Sequence, residues 1–599
     1  MKFRYKSLWI TISSALASMQ VIAQEKDLVQ DQIKQLPVIV VEAHPLSVDQ
    51  NDYANAINVV DKEKLRQGAT TLGDALNGEL SIHNDNFGRG ASRPVIRGQT
   101  SPRVKVLSDS SEVMDVSQIS PDHEVTVDPL LASKVEVLRG PSTLLYGGGA
   151  IGGVVNVLDE KIPSQMPENG ISGEVHLRGN TVANEKSGAA GLTIGLGEQF
   201  ALRLEGDKRE ADNYQINKYI DDGIPSKRVD GTWTKAENIG LGMSWIGEDG
   251  YIGLAYSERK SQYGLAGDSE ESEECQVGVE NCNEPNNEER PWINLESKRF
   301  DFRSEYLQPF IGIDKVRARA SYTDYQHSEI EGGEIGVTFK NRGYDGRLEL
   351  VHSPVANWKG VVGVQYAKSN FDVLGDEAFL PKTSTENLAA FLIENYQWSD
   401  DLRLELGTRI EQQKINVENS QYQDFNANAF SASGAINWDF LSNHILSLSL
   451  SYAERLPNAQ ELYAEGPHLA TNTFEIGNDS LEKEKSQNIE LGIRKVKGNL
   501  NYEINTFYNQ FKDYIYANTL GYQDGLRTIE YTQADANFYG AEAEVSYQFS
   551  PLYRGKIFAD HVRAELDRGG NLPRIPSTRT GIRFDANFEP YRVCRRLFI

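Results

Sequence analysis

The chain has 599 residues, a formal net charge of −25 and a hydrophobic content of 39%. This length exceeds that of one ordinary domain, so at least two units are expected. The acidic balance argues against nucleic-acid binding and favours attraction of cations. Beyond the N-terminus the sequence contains no run of about 18 apolar residues, which excludes membrane-spanning helices.

Residues 1–23 have the features of an export signal. Three basic residues precede an apolar run from Leu8 to Ala17. This run is too short for a membrane anchor, and small or branched residues precede a cleavage position after Ala23. We therefore expect the mature protein to leave the cytoplasm.

Residues 24–44 are predicted to be a mobile N-terminal segment that ends in an apolar stretch at 36–43. By itself this stretch fits an edge strand. It also fits a segment that adds a strand to the sheet of a partner protein, where main-chain hydrogen bonds supply the affinity.

Residues 45–163 are predicted to form a small α+β unit. Residues 65–80 have the spacing of a short amphipathic helix, and the sequence Arg-Pro-Val-Ile-Arg-Gly follows at 93–98. A strand from Val135 then leads through a Gly-Pro turn into a glycine cluster at 147–153. Glycine there permits unusual backbone angles and close approach of other backbone. A phosphate loop is excluded, because no Gly-Lys-Ser/Thr sequence follows.

Residues 171–599 repeat a strict alternation of apolar and polar side chains, as in Leu-Arg-Leu-Glu at 202–205. Short turns join many of these stretches, and longer polar stretches lie at 258–293 and 456–482. Alternation over 400 residues behind an export signal predicts a transmembrane β-barrel with apolar side chains outward. The pair Cys275 and Cys282 lies in one polar stretch, and in an exported protein we expect it to form a disulfide.

These motifs together resemble the TonB-dependent outer-membrane receptors. The resemblance covers the run at 135–157, the Arg-Pro-Val-Ile-Arg-Gly motif, and barrel sequences at 455–463 and 537–544. It implies an all-β barrel of 22 strands with the α+β unit as a plug in its lumen. It also implies that Arg97 and Arg139 of the plug pair with carboxylates of the barrel wall. The apolar stretch then becomes a TonB box, formed by Pro37, Val38, Ile39, Val40 and Val41.

The resemblance implies a monomeric receptor in the lipid bilayer of the outer membrane of a Gram-negative bacterium, and not an enzyme. Its implied partner is TonB with the inner-membrane energising complex. The sequence departs from the family at its end, where the pattern holds only to about Glu589. We therefore expect the last few strands to be missing and the barrel to have unpaired edges, which are costly in lipid.

The nine histidines bear on the substrate. None lies in a metal-binding spacing of its own, and each fits an ordinary polar loop residue. Imidazole and carboxylate groups from three distant segments can nevertheless converge into a four-coordinate zinc site. The segments are Asp-His at 122–123, His-Ser-Glu at 327–329 and Gly-Pro-His-Leu-Ala-Thr at 466–471.

These three segments resemble those of the ZnuD family of zinc-uptake receptors. The resemblance implies zinc as the transported ligand, bound by Asp122, His123, Glu329 and His468. Glu331 and Glu334 are alternatives to Glu329. In these relatives the loop corresponding to 264–292 is rich in histidine and adds a peripheral metal site. Here the loop contains no histidine, which puts a second zinc site in doubt, although its carboxylates can attract cations weakly.

Three other functions remain open at this point. A haem-uptake receptor would use His468 in the same loop, although Arg-Leu-Pro at 455–457 matches the motif of that group only in part. A siderophore receptor would line the site with arginine and aromatic side chains. An adhesin or phage receptor would not need the segment at 36–43, so its deletion separates that function from transport.

Overall fold

The computed structural model describes residues 41–46, 57–221, 224–266, 290–523, 525–588 and 591–598. The export signal, Pro37, Val38, Ile39 and Val40 of the TonB box, and the cysteine pair Cys275 and Cys282 lie outside these residues. Among the described residues, no helix is long and apolar enough to cross a membrane.

The N-terminal unit is built on a five-stranded sheet with the order β1-β6-β7-β4-β5, and β2 and β3 form a separate hairpin. The strands are β1 (Asn58–Asp61), β2 (Ile82–Phe87), β3 (Ala91–Ile96), β4 (Val104–Ser108), β5 (Ser111–Glu112), β6 (Ala132–Leu138) and β7 (Gly153–Asp159). Valine side chains of this sheet pack against leucines of two short helices, α1 (Lys62–Leu65) and α2 (Leu72–Leu76). The single helix expected over 65–80 is wrong, because Gly68 between the two has a φ of +127°, which a helix does not permit.

The remaining strands form a closed sheet around this unit, apart from the hairpin of β11 and β12. They are β8 (Ile171–Asn180), β9 (Glu185–Leu196), β10 (Phe200–Ala211), β11 (Gln215–Asp221), β12 (Ile224–Arg228), β13 (Thr234–Ile246), β14 (Gly250–Gly264), β15 (Trp292–Phe310), β16 (Ile313–Glu331), β17 (Glu334–His352), β18 (Trp358–Gly375), β19 (Thr383–Ser399), β20 (Leu402–Val417), β21 (Phe425–Leu441), β22 (His444–Arg455), β23 (Glu465–His468), β24 (Thr473–Ile476), β25 (Glu484–Lys495), β26 (Leu500–Gln523), β27 (Leu526–Ser550), β28 (Tyr553–Leu566), β29 (Gly570–Asn571), β30 (Arg579–Phe588) and β31 (Tyr591–Phe598). A third helix, α3 (Ala459–Tyr463), follows β22.

The barrel wall has the expected polarity. On β10, Arg203 and Glu205 are buried toward the lumen, whereas Leu204 between them is 50% exposed on the outer surface. Charged side chains can be buried in the lumen because they pair with one another and with the plug. The outward leucines face the hydrocarbon of the bilayer.

The expectation of unpaired barrel edges is wrong for the described part of the chain. The sheet contains 22 strands, of which β23, β24 and β29 are short loop strands, and it closes with β31 beside β8. Closure provides partners for backbone groups that would be costly to leave unpaired in lipid.

Ion pairs hold the plug against the barrel wall. Arg97 donates to both carboxylate oxygens of Glu490, at 2.8 and 2.7 Å, and to Glu542 of β27 at 2.7 Å. Arg139 donates to the same Glu542 at 2.9 Å. The two plug arginines therefore surround one buried carboxylate of the wall.

The glycine cluster allows a second close contact between plug and barrel. A Cβ placed on Gly148 would lie 2.1 Å from the carbonyl oxygen of Glu454. Gly147 has a φ of +93°, which favours glycine. Gly147 joins two 3₁₀ turns (Pro141–Tyr146 and Gly148–Ala150), and Gly153 begins β7. Both turns contact strands of the barrel wall.

Candidate metal centre

Three distant segments bring four buried side chains together near the long-loop end of the barrel. Asp122 and His123 lie in the plug loop between β5 and β6, Glu329 lies near the end of β16, and His468 ends β23. One ligand atom from each lies within 4.8 Å of every other. These are the four residues that the resemblance implied, and their role as ligands stays a prediction.

The distances suit a small cation. Nε2 of His123 lies 3.1 Å from Oε1 of Glu329 and 3.3 Å from Oδ2 of Asp122. Nε2 of His468 lies 4.0 Å from Oδ2 of Asp122. Ligands at the usual zinc distance of about 2.1 Å are about 3.4 Å apart in a tetrahedron. The two nitrogens and two oxygens therefore need only small movements to surround one ion.

Glu329 rather than Glu331 or Glu334 belongs to the centre. Glu329 is 7% exposed on β16. Glu331 lies on the same face of the strand but next to the Gly332–Gly333 turn, where it is half-buried, and Glu334 at the start of β17 is exposed. Among the described residues, the group of ligand atoms within 4.8 Å of one another includes Glu329 and neither of the other two.

Hydrogen bonds on the far side of each imidazole orient it toward the centre. Nδ1 of His123 donates to the carbonyl oxygen of Val116 at 3.2 Å. Nδ1 of His468 donates to Oε1 of Glu475 at 2.9 Å. A proton on Nδ1 leaves Nε2 available to a metal, and carboxylate partners of this kind raise the basicity of a ligating histidine.

Glu475 of β24 is itself fixed by the surrounding residues. It accepts hydrogen bonds from Nε2 of Gln460 at 2.8 Å and from the hydroxyl of Tyr531 at 3.1 Å. Its strand pairs in parallel with residues 527–530 of β27. The hairpin that carries His468 is thus held to both α3 and the barrel wall.

The carboxylates favour positive charge in the centre. Burial alone would lower the pKa of His468, but the hydrogen bond to Glu475 and the charge of Asp122 raise it to about 9. Burial likewise opposes protonation of His123, and the charges of Asp122 and Glu329 outweigh it and raise its pKa. Protons on these imidazoles are what a metal ion would displace.

Aromatic side chains enclose the centre. Phe379 stacks on His468 with ring centroids 4.6 Å apart, and Phe339 stacks on His327 at the same separation. The hydroxyl of Tyr263 donates to the carbonyl oxygen of Asp122 at 2.9 Å. These contacts hold the ligands in one orientation and exclude water around them.

Sequence reasoning did not assign a role to Glu475, Phe379 or Tyr263. Nothing in their local sequence identifies them, since each reaches the centre only through the fold. His327 is different, because a residue two positions before Glu329 on a strand points to the same face. That spacing was a usable signal for a further histidine in the centre.

Two family models match the chain. The model described as "TonB dependent receptor-like, beta-barrel" matches residues 186–593, and the "TonB-dependent Receptor Plug Domain" model matches residues 49–154. The first match alone covers more than half of the chain.

Curated relatives and solved structures agree with these matches. The chain is 36% identical over 99 residues (15% of the chain) to the ferrienterobactin receptor of Escherichia coli strain K12. It is 22% identical over 470 residues (76% of the chain) to an iron-regulated outer membrane virulence protein of Vibrio cholerae. The chain spans 13% of the length of the first relative and 64% of the second. The solved structure of the copper transporter OprC has the same fold, with a TM-score of 0.73 at 16% identity, covering 89% of this chain and 84% of that one.

Proposed function

The chain belongs to the TonB-dependent receptor family of the outer membrane, and we propose that it imports zinc ions into the periplasm. Members of this family are receptors and transporters rather than enzymes. Zinc would be the transported substrate, bound in passage at the metal centre. TonB and the inner-membrane energising complex would be the partners that drive its release.

One observation carries this proposal. Two imidazole nitrogens and two carboxylate oxygens from three segments converge within 4.8 Å of one another, and all four side chains are buried. Oδ2 of Asp122 and Nε2 of His468 have no hydrogen-bond partner. Buried polar atoms are normally paired, so these two atoms favour a ligand between them. Mixed nitrogen and oxygen donors suit zinc.

The close packing of the centre supports a bare ion over a chelate. All four side chains are buried, and the ring of Phe379 stacks directly on the imidazole of His468.

The N-terminal segment supports a TonB-driven cycle. The backbone amides of Glu42 and Ala43 donate to the buried carboxylate of Glu136, at 2.9 and 2.7 Å. In the proposed cycle, zinc binding at the plug loop shifts the N-terminal segment toward the periplasm. TonB then pairs with the exposed box by strand addition and remodels the plug.

Calorimetric titration of Zn²⁺ into the detergent-folded receptor tests the proposal. We expect one-to-one binding that weakens by at least about 100-fold in His468→Ala, since the loss of even an outer-sphere partner costs about 10- to 100-fold. The control is His561→Ala, which removes an exposed histidine of β28. Deletion of residues 36–43 should abolish zinc uptake by cells and leave zinc binding unchanged.

A siderophore receptor is the second candidate, because the relatives include a ferrienterobactin receptor. Haem is the third, with His468 as its ligand. If the folded receptor binds no zinc but binds a ferric chelate or haem, zinc import is refuted. Uptake of zinc, siderophore or haem that is unaffected by deletion of 36–43 would refute TonB-driven transport by this receptor.

A further inference from the structure

A third buried atom at the metal centre also has no hydrogen-bond partner. It is Nε2 of His327, which is 1% exposed. This nitrogen lies 3.6 Å from Oε1 of Glu329, the oxygen that also contacts His123. Glu329 therefore stands between two imidazoles, only one of which belongs to the four-residue set.

The imidazole of His327 is held as firmly as those of His123 and His468. Its Nδ1 is hydrogen-bonded to the hydroxyl of Tyr325 at 2.8 Å, and its ring stacks on Phe339. Its ring centroid lies 4.6 Å from that of His123. With Nδ1 fixed from outside, Nε2 is the nitrogen that faces the centre, as in a metal-ligating histidine with an outer partner.

The position of His327 along β16 determines how far its side chain lies from the loop end of the barrel. His327 lies two residues further from the Gly332–Gly333 turn than Glu329, which corresponds to about 7 Å along β16 toward the middle of the barrel. His468 is carried by the hairpin at the loop end, and Asp122 by the plug loop. The five side chains thus form two overlapping donor sets that share His123 and Glu329.

We propose that His327 is a further metal ligand, which binds the transported zinc through Nε2 together with His123 and Glu329. This inference rests on the proposed function. Three imidazoles and two carboxylates give a five-donor site, which zinc accepts when its coordination expands beyond four.

Zinc X-ray absorption spectroscopy tests this role, because it counts the imidazoles bound to the metal. We expect three imidazoles in the wild-type receptor and two in His327→Gln, with zinc affinity lower by about 10-fold or more. His468→Ala should retain weakened zinc with two imidazoles, and the double variant should lose the site. His352→Gln is the matched control, since it removes a half-buried histidine at the end of β17 far from the Gly332–Gly333 turn and should keep all three imidazoles.

The outcomes separate this inference from the proposed function. A wild-type receptor that binds zinc with only two imidazoles overturns the role of His327, whatever the affinity of the variants. A folded wild-type receptor that binds no zinc overturns zinc import itself and the inference with it. Because the wild-type imidazole count decides the question, the test remains valid if His327→Gln does not fold.

Discussion

The affinity of the receptor for zinc should depend steeply on pH, because zinc must displace a proton from His468. The pKa of this imidazole is raised to about 9 in the metal-free protein, although burial alone would lower it. At pH 7 the side chain is therefore protonated, and only the neutral form binds metal. Raising the pH removes the competing proton, so affinity must rise with pH.

The size of the change in zinc affinity follows from the difference between the pKa of His468 and the pH. Two pH units below the pKa correspond to about 2.7 kcal/mol, or about a 100-fold loss of affinity at pH 7 relative to the fully deprotonated site. We expect the affinity to rise at least about tenfold per unit between pH 7 and 8 and to level off above pH 9. His123 adds to the slope, because its pKa is raised as well.

Calorimetry in two buffers of different ionisation enthalpy measures the released protons directly. At pH 7 the enthalpies should differ by the buffer difference multiplied by at least one proton per zinc ion. Glu475→Gln is the informative variant, because the hydrogen bond to Glu475 is the largest influence that raises the pKa of His468. This variant should make the affinity for zinc depend less on pH between pH 7 and pH 9.

Glu475→Gln should also lower the affinity at pH 9, by about 10- to 100-fold, because the ligand loses its carboxylate partner. At pH 7 the variant and the wild type should differ less, since the variant has less proton competition. A wild-type receptor that releases no proton at pH 7, or a variant with an unchanged slope, would refute the assignment of His468 as a protonated ligand.

Two further predictions concern the seating of the plug. Arg97→Ala leaves the carboxylates of Glu490 and Glu542 buried without one of their partners, and should destabilise the folded receptor by about 3–5 kcal/mol in chemical unfolding. The control is Arg342→Ala, which breaks an exposed ion pair with Asp324 on the outer wall. It should destabilise the receptor by about 1 kcal/mol or less. Equal losses in both variants would contradict the buried role of Arg97. Gly148→Ala forces a Cβ against the carbonyl oxygen of Glu454 and should displace the plug, seen as faster proteolysis of the plug and a loss of about 1–3 kcal/mol. Gly521→Ala serves as the control, because a Cβ at Gly521 has no atom within 4 Å. If the plug resists proteolysis equally in both variants, the close contact at Gly148 is not required.

The class of the fold was predictable from the pattern of apolar and polar residues alone. Alternation along the strands decides which side chains face lipid, because a strand has only two faces, and this pattern is visible in any window of ten residues. The glycine cluster was also visible locally, whereas the pairing of Arg97 and Arg139 with the barrel wall was implied only by the family resemblance. The single helix over 65–80 was wrong, because one positive φ at Gly68 outweighed the helical spacing.

The residues of the metal centre were visible only as separate segments, and their assignment came from resemblance to a family. The tertiary structure is needed to show that Asp122, Glu329 and His468, which lie more than 130 residues apart in sequence, place ligand atoms within 4.8 Å of one another. It also shows that Glu475 is hydrogen-bonded to His468 and that Nε2 of His327 faces the carboxylate of Glu329. Such contacts depend on strand register around a closed barrel and on how the plug sits within it. No local pattern encodes that register, because it is set by the pairing of the whole sheet.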